Sequence, residues 1–190
     1  SNHHSEGPAD GMERSYQEIQ KVLTLLEAEE LKKVTYRGST DYLPNEDEPI
    51  ISDAAKDLAQ RAMQYSAENP LYVVSIGAIT NIASAILLNP EIIDRIVVVW
   101  LGGHALNWPD TEEFNMVQDI AAARIIFGCG VPLVQLPCMG VVSEFATTGP
   151  ELEYHLKGRN KLCDYLLEHV LDEVTLLDAG KFWSRVIWDV

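Results

Sequence analysis

The sequence predicts an α/β fold with an open, mostly parallel sheet and helices on both faces. Three runs rich in valine, isoleucine and leucine carry this prediction, at residues 71–76, 93–101 and 131–136. Strands that are apolar on both faces are typical of parallel sheets buried between helices. Helical patterns over residues 81–88 and 120–127 separate the runs and complete a β-α-β-α-β unit. The length of 190 residues fits one domain, residues 1–190.

The elements that precede this unit are less regular. Apolar residues at i, i+3 and i+4 spacing predict an amphipathic helix over residues 15–32, and residues 34–36 predict a short strand. Residues 39–51 contain two prolines and an acidic run, which predicts a solvated loop. Ser52 is a candidate N-cap for a helix over residues 53–66.

After the unit, helical patterns follow at residues 151–157 and 161–173, and residues 182–190 form a further apolar segment. The longest apolar run that resembles a membrane span covers residues 96–101, which is too short to cross a bilayer.

Charge and cysteine content exclude several classes of function. The chain has 14 Lys and Arg against 29 Asp and Glu, a formal net charge of −15. Such a surface repels phosphate backbones and anionic lipid, so we expect neither nucleic acid nor membrane as a partner. The three cysteines, Cys129, Cys138 and Cys163, are widely spaced, which disfavours a disulfide framework or a zinc site. We therefore expect a reducing, cytoplasmic location.

Polar residues that follow the strands are the first candidates for a binding site, because open α/β sheets bind ligands at the carboxyl ends of their strands. Thr80 or Asn81, after the first strand, presents oxygen that a hard cation prefers, although Thr80 also suits the cap of the next helix. Asp189 is a lone acid in an apolar stretch, which indicates a metal ligand or a helix cap.

The loop after the second strand is rich in carboxylates and amides. Glu113, Asn107 and Asn115 can converge on a polyhydroxylated ligand such as a sugar, although charged loops are usually only solvated. Gly102 and Gly103 permit a tight turn or close approach of a ligand. The chain has neither a G-x-G-x-x-G nor a Walker A motif, so dinucleotide or triphosphate binding has no direct support.

Together these segments resemble the nucleoside hydrolase family, enzymes described as inosine-uridine preferring nucleoside N-ribohydrolases. The resemblance rests on GAITNIA at residues 77–83, on Gly102-Gly103, on Asn107 six positions before Glu113-Phe114-Asn115, and on Asp119 with Ala122-Ala123. It extends from about Asn2 to Val190. It implies a nucleoside hydrolase-like, Rossmann-like sheet and hydrolysis of the N-glycosidic bond of small-molecule ribonucleosides.

The resemblance also implies a cofactor and roles for individual residues. A bound Ca²⁺ holds the ribose hydroxyls and activates a water, and an aspartate takes the proton of that water. The implied calcium ligands are Thr80, through its carbonyl, and Asp189. The implied ribose and base contacts are Asn107 and Glu113 at the 5′-hydroxyl, Asn115 near the 2′-hydroxyl, Phe114 beside the sugar, and more loosely Asn2. Family members form oligomers, so we expect a dimer or tetramer.

Two departures from the family pattern modify this expectation. The N-terminal D-x-D-x-x-x-D-D cluster, which supplies calcium carboxylates and the general base, is absent, so we expect a truncated domain whose base lies upstream of residue 1. Trp188 stands where many members have histidine, and indole cannot protonate a leaving base but can stack on it. We expect weak or no catalysis by this chain alone. The alternatives are a non-catalytic nucleoside-binding relative or regulatory subunit and, less supported, an unrelated α/β nucleotide-binding domain.

Overall fold

The computed structural model describes residues 5–176 and 183–188, and its centre is a three-stranded parallel sheet. Strands β1 (Leu71–Ser75), β2 (Ile96–Leu101) and β3 (Leu133–Leu136) lie in that order, with Val98 paired to Val73 on one side and to Leu133 on the other. The β-α-β-α-β prediction is confirmed, because the crossovers contain helices between successive strands.

The other elements surround this sheet. The helices are α1 (Pro8–Leu25), α2 (Asp53–Arg61), α3 (Thr80–Leu88), α4 (Phe114–Gln118), α5 (Ile120–Gly128), α6 (Gly149–Leu156) and α7 (Lys161–Leu176). Four 3₁₀ helices cover Glu29–Val34, Ala62–Gln64, Pro90–Arg95 and Val142–Glu144. Strands β4 (Ala146–Thr148) and β5 (Ser184–Val186) pair antiparallel in a separate two-stranded sheet.

Three local predictions differ from the structure. The first helix begins at Pro8, because proline is well suited to the first helical position, and it ends at Leu25. The strand predicted over residues 34–36 is wrong, because a 3₁₀ helix extends through Val34. The second strand begins only at Ile96, because a 3₁₀ helix capped by the Asn89 side chain occupies the residues before it.

The main core lies between the sheet and α2, α3 and α5. Alanines on these helices, including Ala55, Ala83 and Ala122, are fully buried and allow close helix packing. On β2, Trp100 is also fully buried, and its indole N–H donates to the Gly77 carbonyl at 3.0 Å. A buried indole needs such a partner. The core therefore holds the turn that follows β1.

The opposite face of the sheet is apolar but exposed in the part of the chain that the structure describes. Tyr72 and Val74 on β1 are 65% and 69% exposed, and Val134 and Leu136 on β3 are also exposed. The α/β class and the parallel sheet are confirmed, whereas cover by helices is observed on one face within residues 5–176 and 183–188. Over the same residues, no helix has the length and apolar character that crossing a bilayer requires.

Candidate functional site

A cleft of about 560 Å³ opens at the carboxyl end of β1. This is where open α/β sheets bind ligands. Its walls come from α1, from residues 36–42, from the turn before α3, and from α4. The lining includes Met12, Ser15, Tyr16, Tyr36, Ser39, Tyr42, Gly77, Thr80, Asn81, Phe114 and Gln118. Three of the candidate residues from the sequence, Thr80, Asn81 and Phe114, therefore share one cavity.

Asp119 joins the floor of this cleft to two other segments. Its carboxylate is 3% exposed and accepts from the Thr80 hydroxyl at 2.6 Å, from the Leu43 amide at 3.0 Å and from the Ala122 amide at 2.9 Å. The last of these bonds caps α5. The prediction that the Thr80 side chain caps α3 is wrong, because its hydroxyl is directed to Asp119 and Ile79 occupies the cap position.

Asn81 holds the opposite wall of the cleft. Its side-chain oxygen accepts from the Ser39 amide at 2.8 Å, from the Ser39 hydroxyl at 2.9 Å and from the Ser52 hydroxyl at 3.0 Å. Ser52 also caps α2, as predicted, by accepting from the Ala55 amide. The Asn81 oxygen, a candidate for a cation, is therefore occupied by three protein donors.

Glu113 and Asn115 are buried at the junction of β2 and α4. The Glu113 carboxylate is 3% exposed and accepts from the amides of Gly103 at 2.8 Å, Asn115 at 2.9 Å and Met116 at 2.9 Å. The side-chain amide of Asn115 donates to the Leu101 carbonyl at 2.9 Å. The loop predicted to continue to Asp119 thus contains α4, because Glu113 satisfies the free amides at the start of that helix.

The remaining predicted site residues either do not line the cleft or lie outside the residues that the structure describes. Asn107 is exposed in the loop before Glu113, and Trp188 is 37% exposed and is not a lining residue. Asn2 and Asp189 lie outside the described residues.

Tyr42 and Gln118 are cleft residues that sequence analysis did not identify. The Tyr42 hydroxyl donates to the Gln118 side-chain oxygen at 3.0 Å. Burial raises the pKa of Tyr42, and the negative charges of Asp119 and Asp41 add to the effect. The phenol therefore stays protonated at neutral pH and acts as a hydrogen-bond donor. No local pattern links residues so far apart in the chain.

The carboxylates described here do not by themselves make a calcium site. Calcium takes 6–8 oxygen ligands, several of them carboxylates. Glu113 and Asp119 each already accept from three protein donors. Over residues 5–176 and 183–188 there is no group of three or more His, Cys, Asp or Glu side chains placed to hold a metal.

Comparison with known proteins gives the family. The model of the inosine-uridine preferring nucleoside hydrolase family matches residues 8–182. The pyrimidine-specific ribonucleoside hydrolase RihA of Escherichia coli O9:H4 (strain HS) is 36% identical over 83 residues, which cover 42% of this chain and 26% of that protein. RihA of Escherichia fergusonii gives the same identity and coverage.

The fold also has a solved counterpart. A purine-preferring ribonucleoside hydrolase from Gardnerella vaginalis superposes with a TM-score of 0.70 at 22% identity, covering 90% of this chain and 64% of that one. The chain therefore spans less than two thirds of that structure and about a quarter of the curated relatives, with 26% matched. Since the family model matches most of the chain, from residue 8 to residue 182, the chain belongs to the inosine-uridine preferring nucleoside hydrolase family.

Proposed function

We propose that this chain serves in the hydrolysis of the N-glycosidic bond of ribonucleosides to ribose and free base. The family match over residues 8–182 carries the proposal. The cleft supports it, because it opens at the carboxyl end of β1 and offers both aromatic and hydroxyl side chains to a ligand. A nucleoside has the same dual character, with a planar base and a polyhydroxylated sugar.

Within this proposal each predicted site residue keeps its role. Asn107 and Glu113 contact the 5′-hydroxyl, Asn115 the sugar near the 2′-hydroxyl, Phe114 the sugar face, and Trp188 the base, with Asn2 as a further contact. The exposure of the Phe114 ring on the cleft wall supports its role. Glu113 can accept a further bond, because a carboxylate has about four lone-pair sites and three are used here.

Calcium is the proposed cofactor, with Thr80 and Asp189 among its ligands. When bound, it activates the attacking water by lowering its pKa. Because Asp119 and Glu113 are engaged within the protein, we propose that the other calcium carboxylates and the general base come from outside the described residues. We therefore propose that residues 1–190 form a partial nucleoside hydrolase domain with weak or no activity alone. A dimer or tetramer and a cytoplasmic location complete the proposal.

A non-catalytic nucleoside-binding relative is the second candidate. It is favoured by the three hydrogen bonds that Asp119 and Glu113 each already accept from the protein, and by Trp188 at the position where many family members have histidine. Such a protein would bind nucleosides without cleaving them.

The test is reducing-sugar release from inosine, adenosine, uridine and cytidine, with calcium and with a chelator, beside calorimetric binding of the same nucleosides. Calcium-dependent release supports the hydrolase and contradicts the expectation of inactivity. Binding without release, followed by activity when the aspartate segment of the family is supplied, supports a partial enzyme. Binding without sugar release even when the aspartate segment is supplied favours the non-catalytic relative. Absence of nucleoside binding overturns both candidates.

A matched pair of variants locates the binding site. Phe114→Ala removes a 40% exposed residue's ring from the cleft wall, whereas Phe145→Ala removes the ring of a 53% exposed residue that does not line the cleft. Loss of the apolar contact between the Phe114 ring and the sugar costs about 1.5 kcal/mol, so Phe114→Ala should weaken nucleoside binding about tenfold. Phe145→Ala should leave it unchanged. Equal effects of the two variants would place the ligand elsewhere.

A further inference from the structure

His104 is a nearly buried histidine in the loop that carries Asn107. Its side chain is 10% exposed and its ring lies 6.0 Å from the ring of Trp108, centroid to centroid. We call residues 104–110 the Asn107 loop. A turn closes its centre, where the Trp108 amide donates to the Ala105 carbonyl at 2.8 Å. Leu106 and Asn107 are exposed at its tip.

The two ring nitrogens of His104 face different partners. Nδ1 accepts from the Met139 amide at 3.2 Å. A ring nitrogen that accepts a hydrogen bond carries no proton, so this geometry assigns the ring proton to Nε2. Nε2 lies 3.8 Å from a carboxylate oxygen of Asp110, at the far end of the loop. One side chain thus contacts the segment after β3 and the distal end of its own loop.

Backbone contacts continue this connection. The Ala105 amide donates to the Met139 carbonyl at 3.0 Å, and the Cys138 amide donates to the Gly103 carbonyl at 2.8 Å. Gly140 has a φ of 90°, and a Cβ there would lie 2.8 Å from the Cβ of Ala105. The loops after β2 and β3 are therefore in close contact, and the His104 ring is the side chain that bridges them.

We propose that His104 is a positioning residue, whose ring fixes the Asn107 loop against residues 138–140 and so fixes where Asn107 presents its amide. The role assigned to Asn107 rests on the proposed function, whereas the contacts of His104 do not.

Two conservative variants separate the contacts of the ring. In His104→Asn the side-chain oxygen reaches the place of Nδ1 and can still accept from Met139. In His104→Gln the longer amide reaches toward the place of Nε2 and loses the Met139 bond. His104→Ala loses both contacts. His169, on α7 and exposed, is the matched control, since His169→Ala touches neither loop.

The deciding experiment is nitrogen-15 NMR of the whole chain at neutral pH. We expect ring correlations of His104 that show a proton on Nε2 and none on Nδ1. We expect amide exchange of Met139 to be slow in the wild type, His104→Asn and His169→Ala, and faster in His104→Gln and His104→Ala. Backbone relaxation should show residues 105–110 ordered in the first group and more mobile in the second.

Nucleoside binding then tests whether the position of the Asn107 loop affects recognition of the 5′-hydroxyl. His104→Ala should weaken inosine binding about 3- to 10-fold, the effect of one lost hydrogen bond, and leave 5′-deoxyinosine binding unchanged. A proton on Nδ1, or Met139 exchange that is equal in all variants, overturns the assignment. If the wild type binds neither nucleoside, the proposed function fails, and the NMR measurement still decides the role of His104.

Discussion

Asp119→Ala should be among the most destabilising single substitutions in the chain. The carboxylate caps α5 by accepting a hydrogen bond from the Ala122 amide. It also accepts from two more buried donors, the Leu43 amide and the Thr80 hydroxyl. Loss of an N-cap costs about 1 kcal/mol. Each buried donor left without a partner costs about 1–3 kcal/mol. Because neighbouring losses do not add fully, we expect a decrease in the free energy of unfolding of about 3–5 kcal/mol.

Two further variants divide this cost. Asp119→Asn keeps one acceptor oxygen for the cap but places an amide N–H₂ opposite the Leu43 amide, so its loss should be about 1–3 kcal/mol. Thr148→Ala removes a half-buried cap of α6 and serves as the control, with a loss of about 1 kcal/mol.

The assay is urea unfolding followed by far-ultraviolet circular dichroism, with equal m-values required for the comparison. A loss for Asp119→Ala no larger than that for Thr148→Ala would refute the reasoning. It would mean that the three bonds of Asp119 do not hold the floor of the cleft together.

Three other predictions concern pH and backbone geometry. Hydrogen bonds from Arg37 and, second, from Gln17 lower the pKa of Glu13 to about 2. The Glu13–Arg37 pair should therefore stabilise the fold above about pH 4.5 and lose this contribution as the pH falls toward 2. In a carboxyl NMR titration, Arg37→Met should return the pKa of Glu13 toward its ordinary value. Burial raises the pKa of Tyr42, so the contribution of its protonated phenol to the free energy of unfolding should be full below pH 10 and decline above it. Tyr42→Phe should remove one high-pH step from the ultraviolet titration of the phenols. Gly103→Ala should destabilise the chain by about 1–2 kcal/mol, because φ is 76°. The added Cβ would meet only the flexible ends of Gln135 and Met116, which can shift. Gly128→Ala, at the end of α5 with open space around it, should not destabilise the chain in the same urea assay.

The sheet was predictable from the sequence because its signal is local. Each strand lies in a mostly apolar run that is followed by glycine or proline, and each crossover helix has its own periodicity. Ser52 was equally readable as a cap, since a serine before a helical pattern needs no distant partner. Boundaries were less accurate, as at Ile96, where the strand was predicted from Ile93 although Asp94 and Arg95 belong to the 3₁₀ helix before it.

The site was only partly predictable, because its geometry depends on contacts between distant segments. Tyr42 and Gln118 are separated by 76 positions, as are Leu43 and Asp119. Glu113 was identified as a ligand contact from its charge, yet its carboxylate already accepts hydrogen bonds from three backbone amides. A sequence pattern identifies which residues carry oxygen, but it does not show which of those oxygens the fold itself occupies.

The bond from Gly103 to Glu113 closes a ring across 10 positions of the chain, and this makes the loop tolerant of changes in length. The entropy of ring closure grows with the logarithm of loop size, so doubling the loop costs only about 0.6 kcal/mol. Residues inserted beside the fully exposed Leu106 would move Asn107 while leaving both ends of the ring in place. Under the role proposed for Asn107, ligand preference and folding stability should therefore be separable in this region, the first altered by the length of the loop and the second by the residues that close it.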